Sequence, residues 1–597
     1  MTTRRAARLA QVLILATLSI AAVALSSSPS RAAVPRIPAS RLMPISDVRE
    51  GMTGVGYSVF QGTTIDSFAV TILGVLRGYR PGADLIMARA QSPVLDRTGI
   101  QAGMSGSPVY VNGKLVGAVS YTWAFLKEPL AGITPINEML SLLPGAGAPP
   151  TDREDRFGSL GAPVAPPAEA AGARPIATPL SLSGFTPEAI RFLKPWLDER
   201  GFVAVPGGGR ESGGSCDSLA PGSVVAVTLI SGDLSAAAIG TVTYRDGDRV
   251  LAFGHPFLAM GWVEFPLTAA RIHLIMPSTQ ISNKIGSPTI TCGTMIADRS
   301  VGIAGTIGAA PDMIPVTVSI QGSGGRSKRY RFEVARGRYL TPALVSSAVV
   351  SSISEALFDT GVATVRWDLS YFMNAGARTI RAGDRLITTS PLSGVGEAVG
   401  QTLSILLGDR FRPSRLDSAA VTLQVEDGVD DAALIGIRVS PGVVAPGAWV
   451  NIELTYRPTA KPVLTRRTRI RVPEGTPEGE ISVRVCDGQE TERWEIARAP
   501  ERYQPETFEQ LAGLIERNRR QDHLYVQLYR AAGGAVVGGR EISQAPSSVL
   551  QVLGGAGKSG EAAATKGATL AEDSLAMDRV VHGCESATIT VAADLRR

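Results

Sequence analysis

Gly103-Met104-Ser105-Gly106-Ser107-Pro108 sets a serine between glycines in a turn, with a strand-like run on each side. Upstream stands Asp84-Leu-Ile-Met-Ala-Arg89, and downstream Val109-Tyr-Val-Asn-Gly-Lys-Leu-Val-Gly-Ala-Val-Ser120. A hydroxyl that is to attack a substrate must stand on a tight bend. Glycine permits the dihedrals of such a bend and lets a substrate come close. The same bend aims the backbone N–H groups of Gly103 and Ser105 at one point, the arrangement that stabilises an oxyanion. Ser105 is the candidate nucleophile, and these two N–H groups are the candidate oxyanion donors.

A serine nucleophile needs a base, and the chain has four histidines: His255, His273, His523 and His582. None precedes residue 255. The best placed is His255, at the end of Gly240-Thr-Val-Thr-Tyr-Arg-Asp-Gly-Asp-Arg-Val-Leu-Ala-Phe-Gly-His255. This reads as a strand, an Asp-Gly turn and a second strand. His273 alternates with apolar neighbours and reads as a strand residue. The serine turn with its following hairpin resembles the nucleophile region of trypsin-like serine proteases, and the His255 hairpin is similar to the first hairpin of such a barrel. The resemblance implies an aspartate that orients the histidine. Asp84 opens a short apolar strand as that aspartate does, so it is the first candidate; Asp96 is the second. It also implies that the strand around Ser120 presents its edge to an extended substrate.

Met43-Pro-Ile-Ser-Asp-Val-Arg-Glu-Gly-Met52, Gly103-Met-Ser-Gly-Ser-Pro108, Ala131-Gly-Ile-Thr-Pro-Ile136 and Phe253-Gly-His-Pro-Phe257 together resemble the SpoIVB (stage IV sporulation protein B) type of serine peptidase. The likeness runs over residues 43 to 140 and 215 to 330. At the position where that family carries its aspartate this chain has Ala90. The family's histidine precedes its serine; here the serine comes first, as in a permuted relative. Such sites depend on geometry rather than chain order.

The remaining sequence bounds the context. Hydrophobic residues make up 44% and charged residues 19%, which suits globular domains with cores, and 65 glycines with 39 prolines suit turn-rich β structure. The net charge of +5 is small and the basic residues are dispersed, so nucleic acid is not an expected partner. Arg4 and Arg5 precede an apolar run from Leu9 to Leu25, followed by small residues through Ala32. This predicts a secretory signal over 1–32 and an exported, periplasmic or extracellular protein. Left uncleaved, the segment would anchor the chain in a membrane. Export permits disulfides among Cys216, Cys292, Cys486 and Cys584. Cys216–Cys292 and Cys486–Cys584 each fit one domain, and four buried thiols are the alternative. No spacing asks for a metal or a cofactor.

The expected fold is mainly β. Residues 40–143 form the barrel half carrying Ser105, 144–214 a linker with a short helix, and 215–330 the barrel half carrying His255. A helical or mixed region spans 331–414. Clean alternation over 415–495 suggests an immunoglobulin-like sandwich, and 496–597 an α+β region with a mobile Gly/Ala/Lys-rich stretch at 554–574. The expected function is an exported serine endopeptidase acting on protein or peptide substrates. The alternative from another class is a non-catalytic scaffold that keeps the protease fold and holds a protein partner.

Overall fold

The computed structural model describes residues 39–143, 172–356, 362–388, 392–408, 414–531, 533–537, 539–542 and 562–593, with positions 546 and 548. The expected signal over 1–32, residues 144–171 of the expected linker region and residues 554–561 of the stretch expected to be mobile lie outside these residues.

Six strands close the first barrel: β1 (Thr53–Val59), β2 (Ile65–Arg80), β3 (Ala83–Gln91), β4 (Pro108–Val111), β5 (Lys114–Trp123) and β6 (Leu130–Pro135). The ring order is β4-β1-β2-β3-β6-β5, and β5 pairs back onto β4. Asn112 and Gly113, both at positive φ, make the two-residue turn between β4 and β5, the geometry that matches strand twist in a hairpin. Ile72, Ile86, Ala88, Val109, Val116 and Ile133 fill the interior. Closure leaves the barrel proper without a free edge.

A third segment leads to the second barrel. Strand β7 (Ala173–Pro175) lies on the outer edge of β5, and β8 (Thr178–Ser183) already belongs to the next sheet. Helix α1 (Pro187–Asp198) starts where the sequence places it: Pro187 is its first residue, and Thr186 Oγ1 accepts the N–H of Ala189 at 3.3 Å. Then comes β9 (Phe202–Pro206). Strands β10 (Val224–Gly232), β11 (Ser235–Asp246), β12 (Arg249–Ala252), β13 (Gly261–Met276), β14 (Asn283–Arg299) and β15 (Gly302–Ile307) form the second ring, in the order β10-β13-β14-β15-β12-β11, with β11 pairing back onto β10. Gly247-Asp248 is the expected turn between β11 and β12. Register shifts along β13 and β14 let two long strands bend around the ring.

This second sheet extends beyond the ring through β16 (Ile314–Gln321), β17 (Ser327–Val334), β18 (Ala363–Met373), β19 (Arg378–Thr388) and β20 (Leu416–Asp427). Helices α2 (Leu340–Ala356) and α3 (Glu397–Leu407) contribute to the same core. Strand β20 corrects the expected boundary at 415: it pairs parallel with β16 and antiparallel with β18, so it is not part of the C-terminal unit. Alternation reports a half-buried strand, not the sheet it joins.

Two sheets of four and five strands share one core in the C-terminal unit, which also carries a small three-stranded sheet of Ala535–Val537, Arg540–Ile542 and Ala562–Ala564. Its strands run from Asp431–Ser440 to Cys584–Val591, so the expected split between 415–495 and 496–597 also fails. Cys584–Val591 pairs with Gly479–Asp487, and Ala568–Ala576, part of the stretch expected to be mobile, pairs with His523–Arg530. Both expected disulfides, Cys216–Cys292 and Cys486–Cys584, are formed.

Candidate active site

The turn carrying Ser105 sits between β3 and β4. Gly103 and Gly106 have φ of 93° and 97°, where a side chain would be strained. Met104 N–H donates to the Gln101 carbonyl at 3.1 Å, and Ser107 N–H to the Met104 carbonyl at 2.9 Å, so the bend is tight. Gly106 N–H donates to the Val119 carbonyl at 2.8 Å, and Val119 N–H to the Ser107 carbonyl at 2.9 Å, tying the turn to β5.

The other side of the turn is held by the second barrel. Thr241 N–H, on β11, donates to the Ser105 carbonyl at 2.8 Å. Thr241 Oγ1 donates to the Gly103 carbonyl at 3.1 Å and Thr243 Oγ1 to the Gly106 carbonyl at 2.8 Å. A Cβ at Gly106 would fall 2.0 Å from the Thr241 carbonyl oxygen and 2.6 Å from Phe253 N. Only a glycine lets the two barrels meet here. Ser105 is fully buried, and its Oγ has no hydrogen-bond partner among the described residues.

His255 follows β12 through two left-handed residues, Phe253 at φ 66° and Gly254 at φ 69°. Positive φ at a bulky residue is a strained conformation that persists only where its surroundings impose it. The first barrel does so: Thr134 Oγ1 donates to the Gly254 carbonyl at 2.7 Å, and the site of a Gly254 Cβ is 3.0 Å from the Ala118 and Ser120 side chains. His255 Nδ1 lies 2.8 Å from the Pro256 carbonyl oxygen. A carbonyl only accepts, so Nδ1 carries the proton and Nε2 the lone pair. Nε2 is buried with no hydrogen-bond partner among the described residues. Burial takes the imidazole pKa down to about 4, leaving a neutral ring at neutral pH. The backbone beside each candidate is thus gripped by the other's barrel, and both sit at the seam.

The expected aspartate makes no hydrogen bond to His255. Asp84 does lie on a strand, β3, but its carboxylate accepts from Arg77 at 2.9 Å and from Gly78 N–H at 2.8 Å, and these bonds lower its pKa. The His255 Nδ1 that it was expected to hold is taken by Pro256. The reason is competition: Arg77 and the Gly78 N–H, at the end of β2 beside it, take both carboxylate oxygens. The second choice, Asp96, lies exposed on the short helix Leu95–Thr98.

Two buried groups do support the seam. Asp298, on β14, accepts the N–H groups of Phe257 at 2.8 Å, Leu258 at 2.7 Å and Met260 at 3.1 Å, pinning the loop that follows His255. Burial raises its carboxyl to about 6 against these bonds, so it is ionised at neutral pH. Lys284, also on β14, donates Nζ to Ser58 Oγ at 2.8 Å, and Ser107 Oγ donates to the same Ser58 Oγ at 3.0 Å. Burial pushes the ammonium down to about 7. Sequence reasoning missed both. The available signal was charge near each end of a long strand whose middle is apolar or small.

Ser120 uses its side chain inward, against Thr134 Oγ1 at 2.7 Å, and its carbonyl accepts the Ile176 N–H at 2.9 Å. His273 lies on β13 with Nε2 2.8 Å from Ser287 Oγ, and His523 has Nδ1 2.7 Å from Asp522. Neither reaches the seam.

Residues 37–140 match the SpoIVB peptidase S55 family. The matched stretch is the first barrel with Ser105; His255 and the second barrel lie outside it. No curated protein and no solved structure matches the chain.

Proposed function

We propose that this chain is an exported serine endopeptidase whose reaction passes through an acyl-enzyme on Ser105. The serine peptidase class rests on the family match over the first barrel. The observation that carries the mechanism is the seam: a turn with a buried serine is bonded to the strand pair that ends at a neutral histidine. Ser105 Oγ attacks the carbonyl carbon of a peptide bond while His255 Nε2 takes the hydroxyl proton. The Gly103 and Ser105 N–H groups have no hydrogen-bond acceptor among the described residues, which suits donors reserved for the developing oxyanion. The carbon–nitrogen bond then breaks, and His255 returns the proton to the leaving amine. Water enters and gives a proton to Nε2 while its oxygen attacks the acyl carbon; the bond to Ser105 Oγ then breaks and Nε2 returns that proton to Oγ. The Pro256 carbonyl holds the Nδ1 proton, the task an aspartate performs in a triad.

On this reading the two rings form a trypsin-like double barrel in permuted order, with the serine half first, and the C-terminal unit is a sandwich of immunoglobulin type. Export rests on the N-terminal signal. Among the described residues no helix is long and apolar enough to cross a membrane. The test is reaction with a fluorophosphonate probe followed by peptide mapping. Adduct on Ser105, absent from Ser105→Ala and His255→Gln, is the expected result. No adduct on any folded form, including variants in which residues 173–177 are displaced from β5, would remove the chain from the serine peptidases.

A further inference from the structure

Strand β7 lies where a substrate would have to lie. Its residues pair antiparallel with β5 as Tyr121–Pro175, Thr122–Arg174 and Trp123–Ala173, and the Ile176 N–H continues the ladder to the Ser120 carbonyl at 2.9 Å. That bond makes Ser120–Ile176 and, two residues on, Thr122–Arg174 the hydrogen-bonded pairs, so Pro175 falls at a position that donates nothing. Peptide recognition by strand addition uses such a ladder, with alternate side chains entering pockets. Here Ile176 enters: it is buried in the cluster that holds Leu95, Met104 and Val119, beside the serine turn. Farther along, the Pro179 side chain lies 3.2 Å from where a Gly103 Cβ would be. The chain therefore crosses from one barrel to the other directly past Ser105. Alongside it runs a cavity of about 230 Å³, lined by Arg174, Ile176 and Ala177 on one side and Gly99, Ala102 and Pro129 on the other. Ser105 and His255 are both buried in this arrangement.

We propose that residues 173–177 occupy the edge of β5 that binds an extended peptide substrate, so that this chain blocks its own site and opens it only when the segment leaves. The proposal rests on the peptidase reading for what the edge is for. It adds the segment that fills that edge and the place of its Ile176 side chain.

Two variants release the segment. Arg174→Pro removes one ladder donor from a part-exposed position, and Ile176→Asp puts a carboxylate into an apolar pocket. Circular dichroism identifies which of them keep the fold. The probe is a labelled synthetic peptide of residues 172–178, Gly-Ala-Arg-Pro-Ile-Ala-Thr, and the protein is the full chain. A folded variant should bind it about tenfold or more tightly than the wild type, because the open state ceases to be a minor population, and the Thr122 amide should exchange faster. The fluorophosphonate reaction at Ser105 should quicken by a similar factor. Equal peptide binding by wild type and folded variants, or none by either variant, would overturn the occlusion. Peptide binding with no Ser105 adduct in any form would keep the occlusion and defeat the peptidase reading instead.

Discussion

Ser105 Oγ and His255 Nε2 are both buried without a hydrogen-bond partner among the described residues, and single substitutions separate their roles from their supports. Ser105→Ala should leave melting unchanged and lower turnover by about a millionfold, the usual loss for a triad nucleophile. This is checked by hydrolysis of a general protein substrate beside a thermal melt. Asp84→Asn should change turnover little, since its partners are Arg77 and Gly78. Asp298→Asn should be the damaging one: it weakens charged acceptors of three backbone N–H groups, bonds worth about 1.5–3 kcal/mol each. Lower kcat and a lower melting temperature together are the expected signature. The pH dependence of stability follows from His255, whose pKa drops from 6.5 to about 4 on folding. Between these values the unfolded chain binds a proton that the folded chain refuses. Stability from this residue is complete above pH 6.5 and is lost as pH falls toward 4, by up to about 3 kcal/mol. Subtracting the denaturation curves of His255→Gln from those of the wild type across this window isolates the effect; a flat difference would contradict it.

At the scale of elements, the serine turn and the β11–β12 hairpin act as one clasp. Gly106 is the contact point, and its Cβ site coincides with a backbone carbonyl of the other barrel. Gly106→Ala should cost about 1–3 kcal/mol or more, since overpacking adds to a positive φ. Thr241→Val is the milder probe of the same clasp. It removes the Gly103 carbonyl's donor while keeping the strand's shape, so it should reduce Ser105 reactivity more than stability. Comparing adduct formation rates with melting temperatures for the two variants tests this.

For the whole molecule, the two candidate residues of the proposed site belong to different barrels. Ser105 belongs to the first ring and His255 to the second, with β7 strung between them. Stability of the second ring should govern activity, and Cys216–Cys292 staples it across 76 residues. Replacing both cysteines by serine should cost about 4 kcal/mol on the loop-entropy account. Denaturant unfolding and hydrolysis should then fall at a shared midpoint. Activity that survives unfolding of the second ring would show that His255 is not needed.

Much of this was legible in the residues themselves. Gly103-Met-Ser-Gly-Ser-Pro108 marks a strained turn because glycines at positive φ leave a local signature, and the Asp-Gly and Asn-Gly hairpins do so for the same reason. The capped start of α1 and the strand alternation are local too. The third partner of the site was not legible. Arg77 and Gly78 take the Asp84 carboxylate, while Pro256, Asp298 and Lys284 reach the seam through β14 and the loop after His255. Nor could alternation tell that β20 joins the central sheet, that Cys584–Val591 returns to Gly479–Asp487, or that β7 lies over β5. Dihedral preference and periodicity are properties of a few neighbouring residues. Which edge accepts which strand, and which buried charge faces which backbone, are settled only when distant segments compete for the same hydrogen bonds and the same apolar volume.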